Sequence, residues 1–379
     1  MAEFRIDQQA ETPAGVVLGR IQSTGDALPS LNGVATWPFE QMLGHALIFG
    51  GPEAGNTETT LRIAGEVAQK TDAPVIYLHG LSAPKDHERF KTVMSAAGRE
   101  VRSSLPGPRQ TDPGEPPDHW RGDAAGVVER LLTLFDEPDR LAAGNLLRIA
   151  CDGPDGPPRS SAELKRRLED PELVQALSAF EGELLERVTM RFRAFFGPDE
   201  EHRGDWGWED ADAAFVELAS SLTDFDSELQ RAFLFADLRD FIARRKDPKR
   251  FCLICIDGVY PEDVPPELLR DATSRNTAIV ICCLSGASYG EAHKLGMQTD
   301  LVLTHQQKMP DEIVSLGGTR MGTEVTHLLK DGEVVSSEVR PREEPRIDPN
   351  ELRGMETGIA WAIRGGSAVK LAIEPALRT

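Results

Sequence analysis

Residues 45–70 join a short apolar run, a glycine-rich loop and an amphipathic segment, and this combination restricts the chain to few folds. The apolar run 45–49 (HALIF) predicts a strand, and residues 59–70 carry apolar side chains at helical spacing. The loop 50–57 matches the pattern G-x-x-x-x-G-K-[ST] at every defining position except one, because Asn56 replaces the lysine. A strand, such a loop and a helix N-terminus direct backbone N–H groups at a phosphate. The sequence therefore predicts a phosphate-binding scaffold that lacks its lysine.

A second apolar run, 251–256 (FCLICI), ends at Asp257. An apolar strand that ends in aspartate downstream of such a loop indicates the acidic motif that holds Mg²⁺ beside a nucleotide. The next residue, Gly258, has no side chain for acid–base chemistry, so no residue is predicted to be catalytic. The predicted nucleotide-binding residues are Gly50, Gly51, Gly55, Asn56, Thr57, Glu58 and Asp257, and the predicted Mg²⁺ ligands among them are Thr57 and Asp257.

The order of the periodic segments predicts an α/β core that is interrupted by helices. The predicted segments are a lead-in (1–43), a first core part with the glycine-rich loop (44–118), an all-α insertion (119–205), a second core part (206–323) and a C-terminal β segment (324–379). A short strand is expected at 16–20, inside the lead-in. Gly365 and Gly366 separate two apolar runs and predict a hairpin turn.

The charge and the hydropathy of the chain argue against two classes of partner. The formal net charge is −20, whereas a protein that grips DNA unaided usually presents a basic face. No segment approaches the roughly 18 consecutive apolar residues of a membrane span, and the N-terminus has no signal-peptide core. We therefore expect a cytoplasmic protein without a membrane span, and DNA stays open as a partner that the charge does not indicate.

Cys252 and Cys255 have the spacing of a metal or redox pair, but the surrounding residues favour another interpretation. Both lie within the apolar run before Asp257, and Cys282 and Cys283 lie within a similar run. Cysteine in a buried strand serves as a small hydrophobic residue. The eight histidines are scattered without the spacing of metal ligands.

Two further features leave alternatives open. Trp206 and Trp208 stand in a charged loop, where they either anchor a partner or pack over a helix end, and packing is favoured. The basic cluster 244–250 is explained equally by contact with DNA phosphates and by the dipole of a helix C-terminus.

In order and spacing, these motifs resemble the HerA–FtsK superfamily of DNA pumps, specifically the coupling-protein ATPases of type IV secretion and conjugation. The resemblance covers about residues 15–375 and rests on the segments 45–51, 55–62, 75–80, 97–99, 120–123, 257, 274–276, 284–290 and 318–320. Members of this family are hexameric rings that move DNA with ATP. The resemblance implies an α/β fold: a RecA-like P-loop NTPase core with a mainly parallel sheet, an inserted all-α domain and C-terminal β-hairpins.

The departures from the family pattern fall at positions that touch phosphate, metal or water. They are Asn56 for lysine, His79 and Leu81 at the end of the second strand, Gly258 for the second acid, Ser285 for glutamine, and 304–306 where an arginine is common. Together they indicate concerted loss of catalysis, and ATP or ADP with Mg²⁺ is expected to be bound weakly or not at all.

The sequence thus predicts a pseudo-ATPase that serves as a structural or regulatory subunit. Its expected partners are copies of itself, an intact ATPase or another subunit of the assembly. One alternative is a working DNA translocase of conjugation or secretion that borrows residues from a neighbouring subunit. Another is a nucleotide-sensing interaction module in a secretion or defence system.

Overall fold

The computed structural model describes residues 14–23, 27–80, 84–105, 117–153, 155–176, 179–196, 204–218, 225–283, 289–330 and 333–376. The strands are β1 (Gly15–Ile21), β2 (Ser30–Leu31), β3 (Val34–Pro38), β4 (Ala46–Phe49), β5 (Val75–His79), β6 (Val101–Ser104), β7 (Ala213–Glu217), β8 (Cys252–Val259), β9 (Thr277–Cys283), β10 (Leu301–Thr304), β11 (Thr319–Lys330), β12 (Glu333–Pro345), β13 (Ile359–Arg364) and β14 (Ser367–Ile373). The α-helices are α1 (Asn56–Lys70), α2 (Pro84–Ala96), α3 (Ala124–Leu132), α4 (Glu137–Cys151), α5 (Ser161–Leu168), α6 (Pro171–Ala176), α7 (Ala179–Phe196), α8 (Phe225–Arg244), α9 (Pro266–Thr273), α10 (Tyr289–Gly296), α11 (Asp311–Leu316) and α12 (Pro349–Arg353). Short 3₁₀ helices lie at Phe39–Gly44 and Pro261–Asp263.

The chain divides into two compact units, residues 1–70 with 278–379, and residues 71–277. In the first unit, β4 lies between the parallel strands β9 and β10, and all its residues are buried. Antiparallel strands continue this sheet beyond β10 in the order β13, β14, β1, β3 and β2. The unbroken apolar run that predicted β4 is typical of a parallel strand covered on both faces.

Buried charges tie β1 to the helix that follows the glycine-rich loop. Glu66 of α1 accepts a hydrogen bond from the backbone N–H of Val17 at 3.1 Å and pairs with Arg62 at 2.8 Å. Arg62 in turn donates to the carbonyl oxygen of Val17 at 3.0 Å. The segment that was expected to be a lead-in thus supplies a strand that fixes α1 in place.

The C-terminal residues of the first unit form two hairpins. β13 and β14 are joined by Gly365 and Gly366, whose φ angles are +55° and +75°, and this confirms the predicted turn. β11 and β12 pair with each other from Thr319↔Pro345 to Lys330↔Glu333, and we call this pair the β-ribbon. The β-ribbon begins before residue 324, and its described side chains are mostly exposed.

In the second unit, four parallel strands lie in the order β8, β5, β7 and β6. His79, the last residue of β5, is in register with Glu217 of β7 and with Asp257 of β8. Because the carboxyl ends of parallel strands meet at one edge of a sheet, three polar residues are neighbours there. β5, β7 and β8 are buried throughout, whereas the edge strand β6 is mostly polar and partly exposed.

Helices α3, α4, α5 and α7 share a hydrophobic core of their own, to which α8 contributes Leu229 and Phe233. Within the described part of 117–196, the backbone forms helices and isolated bridges but no strand of a sheet. α3 is capped by Asp123, whose carboxylate accepts from the backbone N–H of Gly126 at 2.9 Å. The Arg244 guanidinium that binds Asp123 helps to lower the pKa of this carboxyl to about 2.

A buried carboxylate, Asp237 of α8, gathers several polar groups of the second unit. It accepts hydrogen bonds from the indole N–H of Trp208 at 2.8 Å and from His119 Nδ1 at 2.9 Å, and it pairs with Arg121 at 3.1 Å. Burial by itself raises the pKa of Asp237, but the charges of Arg121 and His119 outweigh burial and hold it below its ordinary value. Trp206 and Trp208 are both buried, as the packing interpretation predicted.

The basic cluster 244–250 binds groups of its own unit. Arg245 is buried and donates to the carbonyl oxygens of Arg275 and Arg250 and to the hydroxyl of Thr277 at 2.8 Å. Arg244 pairs with Asp123 at 2.7 Å. These contacts favour a structural role for the cluster over contact with DNA.

The cysteines are buried and form no disulfide, and burial raises the pKa of the Cys252 thiol to about 11. The part of the chain that the structure describes contains no group of three or more His, Cys, Asp and Glu side chains that could hold a metal ion. None of its helices is long and apolar enough to cross a bilayer.

Candidate functional site: a degenerate phosphate-binding loop

The loop 50–57 connects β4 to α1 in the first unit, in the strand–loop–helix arrangement that its sequence predicts. Gly55 has a φ of +109°, which glycine adopts without strain, and Glu53 has a φ of +60°. The helix begins at Asn56, and its first N–H groups and positive dipole end therefore lie at the loop. This is the backbone arrangement that the sequence predicted for a phosphate site.

The side chain of Asn56 turns back into the loop. Its Nδ2 donates to the carbonyl oxygens of Gly50 at 3.1 Å and of Gly51 at 3.4 Å. The amide thus fastens the end of the loop to its beginning and carries no charge. A lysine at this position supplies a cation to the β- and γ-phosphates, and Asn56 is neutral and shorter.

His305, directly after β10, packs against Gly50 of the loop. Its Nδ1 lies 2.9 Å from the carbonyl oxygen of Ile359, and its Nε2 lies 2.9 Å from the hydroxyl of Thr59 in α1. Burial lowers the pKa of His305 to about 4, so the ring is neutral near pH 7. A neutral ring that donates from Nδ1 to Ile359 accepts at Nε2 from Thr59.

Backbone contacts hold the loop from two further sides. The N–H of Gly51 donates to the carbonyl oxygen of Gln306 at 2.6 Å, and the N–H of Gly358 donates to that of Ala54 at 3.2 Å. The hydroxyl of Thr357 donates to the carbonyl oxygen of Glu53 at 3.2 Å. Two loop N–H groups, that of Gly51 and that of Ala54, which donates to the carbonyl oxygen of Gly51 at 3.3 Å, are therefore engaged within the protein instead of being directed at a ligand.

Asp257 lies near the end of β8 in the second unit and is 2% exposed. Its Oδ2 accepts a hydrogen bond from the hydroxyl of Tyr77 in β5 at 2.6 Å. The same oxygen lies 4.0 Å from His79 Nε2, and that nitrogen lies 3.5 Å from Asp86 of α2. The carboxylate thus has protein partners on the neighbouring strand.

Gly258, which occupies the position of the second acid, has a φ of +74°. A side chain at this backbone conformation is strained, and a Cβ atom there would contact the ring of His79 at 3.5 Å. Gly258 therefore offers no acidic side chain, and its backbone conformation also disfavours a glutamate at this position.

The surroundings of Asp257 fit Mg²⁺ poorly. Mg²⁺ dehydrates reluctantly and keeps several waters, so a carboxylate that serves it through water has to face space that water fills. Asp257 is buried and hydrogen-bonded to a phenol instead. No chemical step is therefore assigned to Mg²⁺ here.

The structure brings six of the seven predicted binding residues together in one loop and helix end, Gly50 to Glu58, within the first unit. Asp257 belongs to the second unit. Leu81 and Ser285, two of the departures from the family pattern, lie outside the described residues. The binding role of each of these residues stays a prediction.

Sequence reasoning missed the partners of the site. The positions of His305 and Tyr77 carried a signal, since each is a polar residue in or directly after an apolar strand. Their contacts with Thr59 and Asp257 join residues far apart in the chain, and no local pattern encodes such pairs.

Comparison with solved structures gives the class of fold. A bacterial conjugative coupling protein, TrwBdeltaN70, is similar with a TM-score of 0.63 and 13% identity, over 94% of this chain and 91% of that chain. VirB4 of Thermoanaerobacter pseudethanolicus is similar with a TM-score of 0.59 and 14% identity, over 95% of this chain and 96% of that chain. TrwB in complex with ADP and Mg²⁺ has a TM-score of 0.59 and 14% identity, over 94% and 93% of the two chains.

No protein-family model and no curated protein matches the chain by sequence. At such low identity the structural likeness shows the fold. It confirms the predicted α/β class with a RecA-like P-loop core, and it confirms, at the level of the fold, the resemblance to coupling proteins that the motifs indicated.

Proposed function

We propose that this chain is a P-loop protein with a coupling-protein fold that does not hydrolyse ATP efficiently and that acts as a structural or regulatory subunit of an assembly. The observation that carries the proposal is the side chain of Asn56. It binds the carbonyl oxygens of its own loop, at the position where catalysis requires a cation.

The size of the lost interactions supports this proposal. A hydrogen bond to a charged group contributes about 1.5–3 kcal/mol, and Asn56 cannot provide one from a cation. Removal of a transition-state charge clamp costs roughly 10²–10⁵ in rate. Gly258 adds the loss of an acid–base group and has a backbone that disfavours its return. Losses of this size in one chain are sufficient to make hydrolysis negligible.

Nucleotide is, in this account, a weakly held static ligand or is not held. The helix end at Asn56 and the hydroxyl of Thr57 remain available to a phosphate, whereas the N–H of Gly51 is engaged by Gln306. A similar structure, TrwB, was solved with ADP and Mg²⁺. A ligand that binds the folded chain and is not consumed stabilises it by mass action.

The assembly is proposed from the fold that the chain has kept. The structures it resembles are a conjugative coupling protein and VirB4, and the likeness spans over nine-tenths of the chain. A chain that has lost catalytic groups but keeps such a fold over its whole length is most simply explained by surfaces that still bind neighbours. The partners are further copies, an intact ATPase or another subunit.

Mass photometry tests the assembly. We expect particles larger than one chain from the pure protein, or from a mixture with any intact ATPase that is encoded beside it. Particles that remain monomeric in every mixture, with and without ATP, contradict the proposed role as a subunit.

A further inference from the structure

Asp257 and Tyr77 form a hydrogen bond in the interior of the second unit. The hydroxyl of Tyr77 donates to Asp257 Oδ2 at 2.6 Å, within the usual range for an O–H···O hydrogen bond. Tyr77 is wholly buried, and Asp257 is 2% exposed. Because both side chains are shielded from solvent, this hydrogen bond satisfies a polar group that is otherwise costly to bury.

The packing around Tyr77 fixes its hydroxyl at that position. Its ring stacks on Phe215 of β7 with a centroid distance of 5.5 Å and an interplanar angle of 9°. Phe90 of α2 lies against it at 5.1 Å, and His79 stacks further along the same face at 6.4 Å. Strands and a helix therefore hold the hydroxyl on the carboxylate, and its position does not depend on a flexible side chain.

The ring of His79 fills the space beside Gly258. The ring of His79 lies next to this glycine and 4.0 Å from Asp257 Oδ2, and its Nε2 also faces Asp86 of α2. The backbone N–H of Gly80 donates to the carbonyl oxygen of Asp257 at 2.6 Å. The end of β5 thus binds the end of β8 through side chain and backbone.

We propose that Asp257 is a structural hydrogen-bond acceptor that locks the end of β8 to β5, and that any nucleotide binding by this chain does not depend on Mg²⁺. This inference deepens the proposed function and rests on it, because it states how the site of a P-loop protein dispenses with its metal. The sequence pattern predicted the opposite role for Asp257.

The two roles of Asp257 predict opposite effects on stability. A buried carboxylate kept for a metal is unsatisfied in the protein alone, so its replacement by asparagine stabilises the fold. A carboxylate that is already satisfied leaves Tyr77 with a poorer acceptor when it is replaced. We expect Asp257→Asn and Tyr77→Phe each to lower the Tm of the full chain by about 2–6 °C, and the double variant to lose less than the sum. Tyr260→Phe, directly after β8, is the matched control and leaves the Tm unchanged.

A second measurement uses Mg²⁺ alone and then Mg²⁺ with ADP. We expect millimolar MgCl₂ to leave the Tm as it is in NaCl of equal ionic strength, and we expect the stabilisation by ADP to be the same in MgCl₂ and in EDTA. A higher Tm of Asp257→Asn, or a Mg²⁺-dependent gain in Tm that disappears in this variant, overturns the inference. These readouts need no turnover, so they are distinguishable from a failure of the proposed function, which ATP hydrolysis would reveal.

Discussion

His305 joins three parts of the first unit through one neutral ring. It contacts Ile359 at the start of β13 and Thr59 in α1, and its Cβ lies beneath Gly50. Burial lowers the pKa of His305 to about 4, so the fold disfavours the charged form of the ring. The loop that carries Asn56 therefore packs on a neutral histidine.

We expect the free energy of unfolding to decrease as the pH is lowered, because of His305. The folded chain binds this proton at a pKa of about 4 and the unfolded chain at about 6.5. The contribution is therefore complete above about pH 6.5 and is lost as the pH falls toward 4, and it amounts to roughly 3 kcal/mol at most. The free energy of unfolding, measured by denaturant at several pH values, tests this dependence.

His305→Gln removes the titrating group, and His327→Gln in the exposed β-ribbon is its matched control. The slope of the free energy of unfolding between pH 4 and 6.5 should become smaller in His305→Gln and stay unchanged in His327→Gln. Equal slopes in all three proteins would show that His305 is not the group responsible.

Gly50 is required because of what lies around it. A Cβ atom at this position would contact the Asn56 side chain and would lie 2.7 Å from His305 Cβ. We expect Gly50→Ala to lower the free energy of unfolding by about 1–3 kcal/mol. Gly182→Ala in α7, where a Cβ meets open space, should raise it by roughly 0.5–1 kcal/mol. Similar effects of the two substitutions would contradict the packing described for the loop.

At the scale of elements, the β-ribbon is a two-stranded sheet of its own, whereas the other described strands of its unit belong to a larger sheet. Its registered residues alternate between two faces, and Met321, Val325 and Val339 on one face are all exposed. The other face carries ion pairs between Arg320 and Glu344 at 2.8 Å and between Arg342 and Glu324 at 3.5 Å. Exposed pairs of this kind contribute little to stability.

We therefore expect the chain to fold without the β-ribbon. Replacing residues 320–344 by two glycines should change the free energy of unfolding by less than about 1 kcal/mol, because Thr319 and Pro345 are already paired at its base. Denaturant unfolding of the shortened chain measures the change. A loss of cooperative unfolding would mean that the β-ribbon is part of the core.

The sequence predicted those elements whose pattern is local and strong. β8 was expected from the apolar run 251–256, β9 from the run that contains Cys282 and Cys283, and β13 from the apolar run before Gly365, and all three are strands. β2 and β3 were not predicted, and neither was the place of β1 between β14 and β3, because antiparallel pairing across the whole chain leaves no mark in one segment. The loop motif could be predicted because it is contiguous in the sequence. The hydrogen bond from Tyr77 to Asp257 could not, because it joins residues far apart in the chain.

At the scale of the whole molecule, the proposed function separates the fold from the chemistry. The chain is similar in fold to a conjugative coupling protein over 94% of its length. Three features of the described residues support the proposed loss of catalysis: the amide of Asn56 folds into its own loop, Gly258 has a positive φ, and the phenol of Tyr77 binds Asp257. Asn56 and Asp257 thus both bind groups of the protein itself.

ATP turnover by the purified full-length chain, with and without DNA, tests the central claim most directly. We expect a rate that cannot be distinguished from that of Thr57→Ala, and we expect Asn56→Lys to leave it unchanged because Gly258 still supplies no acid. Turnover by the native chain that disappears in Thr57→Ala would contradict the account, since it would show that the loop catalyses hydrolysis without its lysine.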